Sequence, residues 1–252
     1  MQNLPQPVLT QAQNVLRAAQ THCGTLLGFY VHGSIALGGY VPGRSDLDIL
    51  VVSEASMSRQ QRIDFADALL PLHNAPCPVE LSVLTPDGLA QTPPVCTFHF
   101  SSMWAPRYAA HDNTNPLLDA DFPDEDIPPY FRVIHQSGIR LFGSAPADLL
   151  PAVSDETFLR AIACDLDDYS FESYDSFASN ILTLPRILSF ARTGTILTKV
   201  QGANWGIGHF PQYKDLLTRA ITEYTTGAKQ TFTEDELEAY RKTLVDAIKA
   251  NM

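Results

Sequence analysis

The sequence predicts an α/β domain with a mixed β-sheet over residues 1–150, followed by an all-α helical bundle over residues 151–252. Two observations carry this. Short apolar runs bounded by turn residues alternate with helical periodicity through the first ninety residues, the pattern of strands and helices around one sheet. From Ser154 onward the apolar residues recur at helical spacing and strand-like runs cease.

Taken in order, residues 7–22 (PVLTQAQNVLRAAQTH) place Val8, Ala12, Val15, Leu16 and Ala19 on one helical stripe. LLGFYVHG, 26–33, is a first strand that ends at Gly33. SIALGGYVPGRS is a helical turn and a Gly-rich loop, and DLDILVV, 46–52, is a second strand. Residues 57–70 form an amphipathic helix on the Ile63, Phe65 and Leu69 side. VELSVLT, 79–85, is a third strand of alternating character. The segment 86–127, rich in Pro, Asp and Asn, reads as an irregular connector, and 128–143 as a short helix and an extended piece. Ser154 caps a helix with acids in its first turn, expected to run on through FLRAIACDLDDYSFESYDS. SNILTLPRILSFARTG is a second helix with Gly194 as its C-cap, and Pro185 inside it predicts a kink beside Arg186. Residues 203–209, 211–226 and 233–250 complete the bundle.

The chain has 252 residues, 45% of them apolar, enough for one or two well-buried cores. Its formal charge of −11 disfavours nucleic acid as a partner, since such binders carry a basic footprint. A cationic small molecule is favoured by the same field. The four cysteines are scattered without metal-ligand spacing and read as buried free thiols of a reducing compartment. No run approaches the ~18 apolar residues of a membrane span, and no leader pattern opens the chain, so a cytoplasmic protein is expected.

One stretch carries chemistry: VHGSIALGGYVPGRSDLDILVV, residues 31–52. Asp46 and Asp48 point to one face of their strand, where two like charges repel unless a cation lies between them. Hard carboxylate oxygens so arranged suit Mg²⁺, which takes the rest of its shell from waters and substrate phosphates. Gly33 and Ser34 stand where a strand turns into a helix, a place where backbone N–H groups receive a phosphate. Glu80, alone among apolar neighbours on the third strand, adds a carboxylate able to ligate metal or take a proton from a hydroxyl. Together these are the parts of metal-assisted nucleotidyl transfer.

Gly-Ser, eleven residues, Asp-x-Asp and then an apolar strand resembles the signature of the DNA polymerase β-like nucleotidyltransferase superfamily. The stretches HGSIALGGYVPGRSDLDILV, VELSVL, NILTLPRILSFARTGTILTKVQGANW and AITEYTTG resemble, within it, the streptomycin/spectinomycin (aminoglycoside) adenylyltransferases. The resemblance implies an N-terminal nucleotidyltransferase domain and a C-terminal helical domain that completes the ATP and substrate cleft. It implies Mg²⁺ on Asp46 and Asp48, touched by Glu80, and Glu80 as the base for an antibiotic hydroxyl. Ser34 and Ser45 would contact the ATP phosphates, Arg186 and Lys199 the triphosphate, and Tyr224 the nucleotide. Arg offers a fork to phosphate and Lys a point charge. Read without the resemblance, Lys199 is a dipole partner just beyond a helix C-cap. His32, where relatives often carry an aromatic, and Pro185 depart from the family pattern.

For the acceptor, Asp165, Asp168, Glu172 and Asp175 fall on one face of the expected long helix, either an acidic wall for a polycation or a solvated stripe. The resemblance points to Glu172 and Asp175 as antibiotic contacts. Trp104 reads either as a stacking platform or as an anchor for the connector, and Trp205 as core. The expectation is a monomeric antibiotic-resistance enzyme that uses ATP. Its rivals are the same chemistry on a protein or metabolite, and a nucleotide-binding regulator without turnover.

Overall fold

The computed structural model describes residues 4–164, 166–172 and 176–252. They fall into two compact units, 1–153 and 154–252.

The first unit is built on one mixed sheet. Helix α1 (Gln6–His22) buries Val8, Ala12, Val15 and Ala19, and leads to β1 (Leu26–Val31). A single turn, α2 (Gly33–Ala36), and a loop follow, and then β2 (Leu47–Ser53), α3 (Arg59–Leu69) and β3 (Val79–Leu84). After the short α4 (Pro86–Leu89) come β4 (Val95–Phe100), α5 (Ala105–Ala109) and β5 (Phe122–Pro123). Helix α6 (Ile127–Ser137), β6 (Ile139–Gly143) and α7 (Pro146–Leu149) close the unit. The strand order is β5-β4-β3-β2-β1-β6, with β2 and β3 parallel and the other neighbours in that order antiparallel.

Three expectations need correction here. The connector 86–127 contains β4 and β5, because VCTFHF offers β-branched and aromatic residues that pair with β3 despite their Pro-rich flanks. Strand β3 does not alternate polar with apolar. It lies in mid-sheet with both faces covered, so Val79, Leu81, Val83 and Leu84 are all buried. One face packs Phe29, Ile49, Val51, Leu81 and Val83 in the core that includes α1 and α3 residues, and the other packs Tyr30, Leu50, Val52 and Leu84 with Ile127, Phe131 and Ile134 of α6. On α3, the buried face also includes Arg62, 3% exposed. Its guanidinium donates to the carbonyl oxygens of Met57 at 3.1 Å and Ala120 at 2.6 Å, and pairs with Asp121. A buried charge is tolerated because it is fully hydrogen-bonded, and here it ties the segment before β5 to α3.

The second unit is helical: α8 (Asp155–Ile162), α9 (Phe177–Thr193), α10 (Lys199–His209), α11 (Lys214–Thr226) and α12 (Glu234–Lys249). Helix α9 is its buried axis, and Gly194 caps it in the left-handed region with φ of +66°. A β-carbon on Gly202 would stand 2.8 Å from the Arg186 Cα, and one on Gly206 2.9 Å from the Pro185 Cβ, so α10 lies against α9 at glycine distance. Helix α8 stops at Ile162, and the continuation expected through Ser176 is not found in the described residues 163–164 and 166–172. The Ser170 side chain serves the backbone locally, accepting the Glu172 N–H at 3.1 Å, and this competes with helix. Asp168 and Glu172 of the expected acidic stripe therefore share no helix, and Asp165 and Asp175 lie outside the described residues. Helix α10 opens at Lys199, earlier than expected, with Thr198 and Gln201 forming a capping box. That puts Lys199 at a helix N-terminus, the reverse of the favourable dipole position expected for it. Cys23, Cys77 and Cys96 are buried thiols as expected, but Cys164 is exposed. Trp205 is half-buried rather than core, stacked on His209 at 3.9 Å beneath the Arg192 guanidinium. Among the described residues no helix is long and apolar enough to cross a membrane.

Candidate active site

Strand register places the acids. Asp48 of β2 is the direct neighbour of Glu80 on β3, in a parallel pair where facing residues share a side of the sheet. Asp46 precedes Asp48 by two residues and takes the same side. This is the α6 side, where Leu50, Val52 and Leu84 are buried. All three acids are half-buried.

Gly33 makes room for them. Its φ is +63°, the left-handed region, and a β-carbon there would lie 1.7 Å from Asp48 Oδ2. Any other side chain would push the carboxylate away. The β2 backbone is fixed beside it, since the His32 N–H donates to the Asp48 carbonyl at 2.9 Å. Ser34 is half-buried in the four-residue α2, too short to offer the dipole of a long helix. Ser45 is 3% exposed. Its hydroxyl oxygen accepts the Val41 N–H at 2.9 Å, so it closes the 41–45 turn that delivers Asp46.

Glu80 sits in a strong local field. Burial pushes its carboxyl above the usual range, and the nearby Asp46, Asp126 and Asp124 push the same way. Opposing them, the Tyr130 hydroxyl donates to Glu80 Oε1 at 3.1 Å. The sequence reading missed Tyr130, which carries no signal in PPYFRVIH beyond an aromatic on an amphipathic helix. His32 was read as a departure from an aromatic, and physically it serves as one. It is 4% exposed, burial lowers its pKa to about 3, and the neutral ring lies 4.7 Å from the Tyr130 ring.

As a metal site the acids offer hard oxygens with a glycine beside them, which suits Mg²⁺. Among the described residues, no three His, Cys, Asp or Glu side chains form a ready-made cage. Mg²⁺ asks for less, since one or two carboxylates suffice when substrate phosphates complete the shell.

In the helical unit, Lys199 Nζ donates to the Ser179 hydroxyl and lies 5.7 Å from the Tyr224 ring centroid, so two predicted nucleotide contacts come together there. Tyr224 is 6% exposed. Arg186 is half-buried on α9, its backbone against Gly202. Glu172 is exposed in a turn. Trp104, half-buried, packs against the core of the first unit, and the Arg107 guanidinium stands 5.4 Å from its ring. It anchors the segment, and its own arginine occupies one ring face.

Two family profiles match the chain. Residues 15–86 match the nucleotidyltransferase domain, and residues 148–250 match the aminoglycoside adenylyltransferase C-terminal domain. The chain belongs to the aminoglycoside adenylyltransferase family. It is an adenylyltransferase by class. The spectinomycin 9-adenylyltransferase of Campylobacter jejuni is 27% identical over 238 residues, 91% of this chain and 90% of that protein. That of Staphylococcus aureus is 25% identical over 80% of this chain and 79% of its own length. The fold of the family is shared with the spectinomycin adenyltransferase of Enterococcus faecialis, solved with ATP and spectinomycin. Its TM-score is 0.78 at 20% identity, covering 96% of this chain and 99% of that one.

Proposed function

We propose that this chain transfers AMP from ATP to a hydroxyl of an aminocyclitol or aminoglycoside antibiotic, with spectinomycin the first candidate. The observation that supports this best is the pairing of Asp48 with Glu80 beside Gly33, in a family whose relatives are named for spectinomycin adenylylation. Streptomycin stays a candidate acceptor. The reading also takes the protein to be cytoplasmic and monomeric, acting without nucleic acid or membrane.

Asp46 and Asp48 would hold Mg²⁺, with Glu80 within reach of it. Bound there, the ion would neutralise charge that develops on the phosphates as pyrophosphate leaves. Ser34, with Gly33 beside it, receives phosphate oxygens, and Ser45 acts by holding the turn before Asp46. Glu80 takes the proton of the acceptor hydroxyl; the freed oxygen attacks the α-phosphorus in line. Its place favours this, because the Tyr130 hydroxyl holds one of its oxygens at 3.1 Å and leaves the other for the proton. The helical domain, 151–252, contributes Arg186, Lys199 and Tyr224 to the nucleotide. Trp104, Glu172 and Asp175 are the proposed antibiotic contacts, Trp104 through the ring face that Arg107 leaves.

The test is pyrophosphate release from ATP and Mg²⁺ with spectinomycin, with streptomycin and with no acceptor. Release that needs spectinomycin, and that falls at least about 10²-fold in Glu80→Gln, is the expected result. ATP binding without release on either antibiotic would refute the acceptor assignment.

A further inference from the structure

Tyr130 is a phenol on the core-facing side of α6. Its neighbours on α6, Ile127, Phe131 and Ile134, are core residues. A hydroxyl carried into such a place needs a hydrogen-bond partner, and the one it has is Glu80 Oε1 at 3.1 Å. The ring is braced by His32, 4.7 Å away and tilted by 35°. His32 in turn holds β2 through its N–H bond to the Asp48 carbonyl at 2.9 Å and directly precedes Gly33. Tyr130 is thus tied to Glu80 through its hydroxyl and to the Asp48 strand through its ring.

We propose that Tyr130 is a positioning residue for adenylyl transfer: its hydroxyl holds Oε1 of Glu80 so that Oε2 receives the acceptor proton, and His32 fixes the phenol in place. The proposal rests on the function assigned above and deepens it. Glutamate has three side-chain torsions, and a displacement of about 1 Å in a reacting group can cost about 10²-fold in rate. In the step itself the acceptor O–H bond breaks and its proton passes to Oε2. The new oxygen–phosphorus bond forms as the bond to pyrophosphate breaks. The Tyr130 hydroxyl keeps its proton throughout.

Tyr130→Phe retains the ring against His32 and removes one oxygen. The expected result is a fall in kcat of about 10- to 100-fold with KM for ATP and antibiotic within about twofold. In a Glu80→Asp background, where the shorter side chain withdraws its carboxylate from the phenol, the same change costs less than about twofold. A second readout needs no turnover. With tyrosine ¹³C-labelled at Cζ, the resonance lost in Tyr130→Phe identifies Tyr130, and it shifts in Glu80→Gln. An unchanged kcat, a loss confined to KM, equal losses in both backgrounds, or a resonance indifferent to Glu80→Gln would each overturn the proposal. A wild-type enzyme inactive on every antibiotic would instead count against the assigned function, and the resonance would still decide the Tyr130–Glu80 pair.

Discussion

His32 shows how burial turns a titratable residue into an aromatic plate. Its pKa is lowered to about 3 by desolvation, while the unfolded chain holds it near 6.5. Below pH 6.5 the unfolded state therefore binds a proton that the folded state refuses. The stability tied to a neutral His32 is complete above that pH and is lost as pH falls towards 3. Between pH 7 and 5 the loss is about 2 kcal/mol. His32→Phe keeps a ring beside Tyr130 and does not titrate. Urea denaturation of both proteins at the two pH values should show a smaller loss in the variant by about that amount; equal losses would mean that His32 titrates normally. The same residue shows the reach of sequence reading. Position 32, next to Gly33, marks it as important, but a lone histidine carries no sign of whether it is charged. That depends on the 4% exposure that β2 and α6 impose.

Helix α9 poses the problem of an internal proline, and the fold answers it. Pro185 has no N–H, so the Ile181 carbonyl one turn earlier loses its helical partner. The hydroxyl of Tyr240, on α12 and wholly buried, donates to that carbonyl at 2.8 Å. Pro185 itself packs against Gly206. Tyr240→Phe should therefore cost about 1–3 kcal/mol by leaving a buried carbonyl unsatisfied. Pro185→Ala restores the missing N–H, so the double variant Pro185→Ala/Tyr240→Phe should recover most of that loss, as read by urea denaturation. Additive losses would show that the hydroxyl does not serve the proline. The sequence reading expected a kink from Pro185 and could not see Tyr240, fifty-five residues on. Elements with strong periodicity or a plain cap were legible, as in α1, α9 and the Ser154 cap of α8, while the Thr198–Gln201 capping box that opens α10 was missed. Strand β4 was not, because the Pro93-Pro94 and Ser101-Ser102 flanks mask six residues whose reason for being a strand is the free edge of β3.

At the scale of the whole chain, charge is the property that reaches furthest. A net charge of −11 draws cations and repels the ATP that the proposed reaction also needs. Salt screens the two in opposite senses. Raising ionic strength from about 20 to 300 mM, across which the Debye length falls from about 20 Å to 6 Å, should raise KM for a cationic antibiotic several-fold and leave KM for ATP level or lower. Initial rates over a salt series check this, and parallel increases in both constants would show that the antibiotic is not steered by the field.

The sequence by itself determined the alternation of strands and helices, the helical second half and the placing of Gly33, Asp46, Asp48 and Glu80 on strands or their ends. These rest on local periodicity and short spacing, which a chain carries wherever it folds. Tertiary structure alone decided that Asp48 and Glu80 are neighbours, because strand register is set by packing across both faces of the sheet. It alone decided that α8 ends at Ile162 and that Tyr130 reaches Glu80. The Asp48–Glu80 and Tyr130–Glu80 contacts join residues 32 and 50 positions apart, which no local pattern specifies.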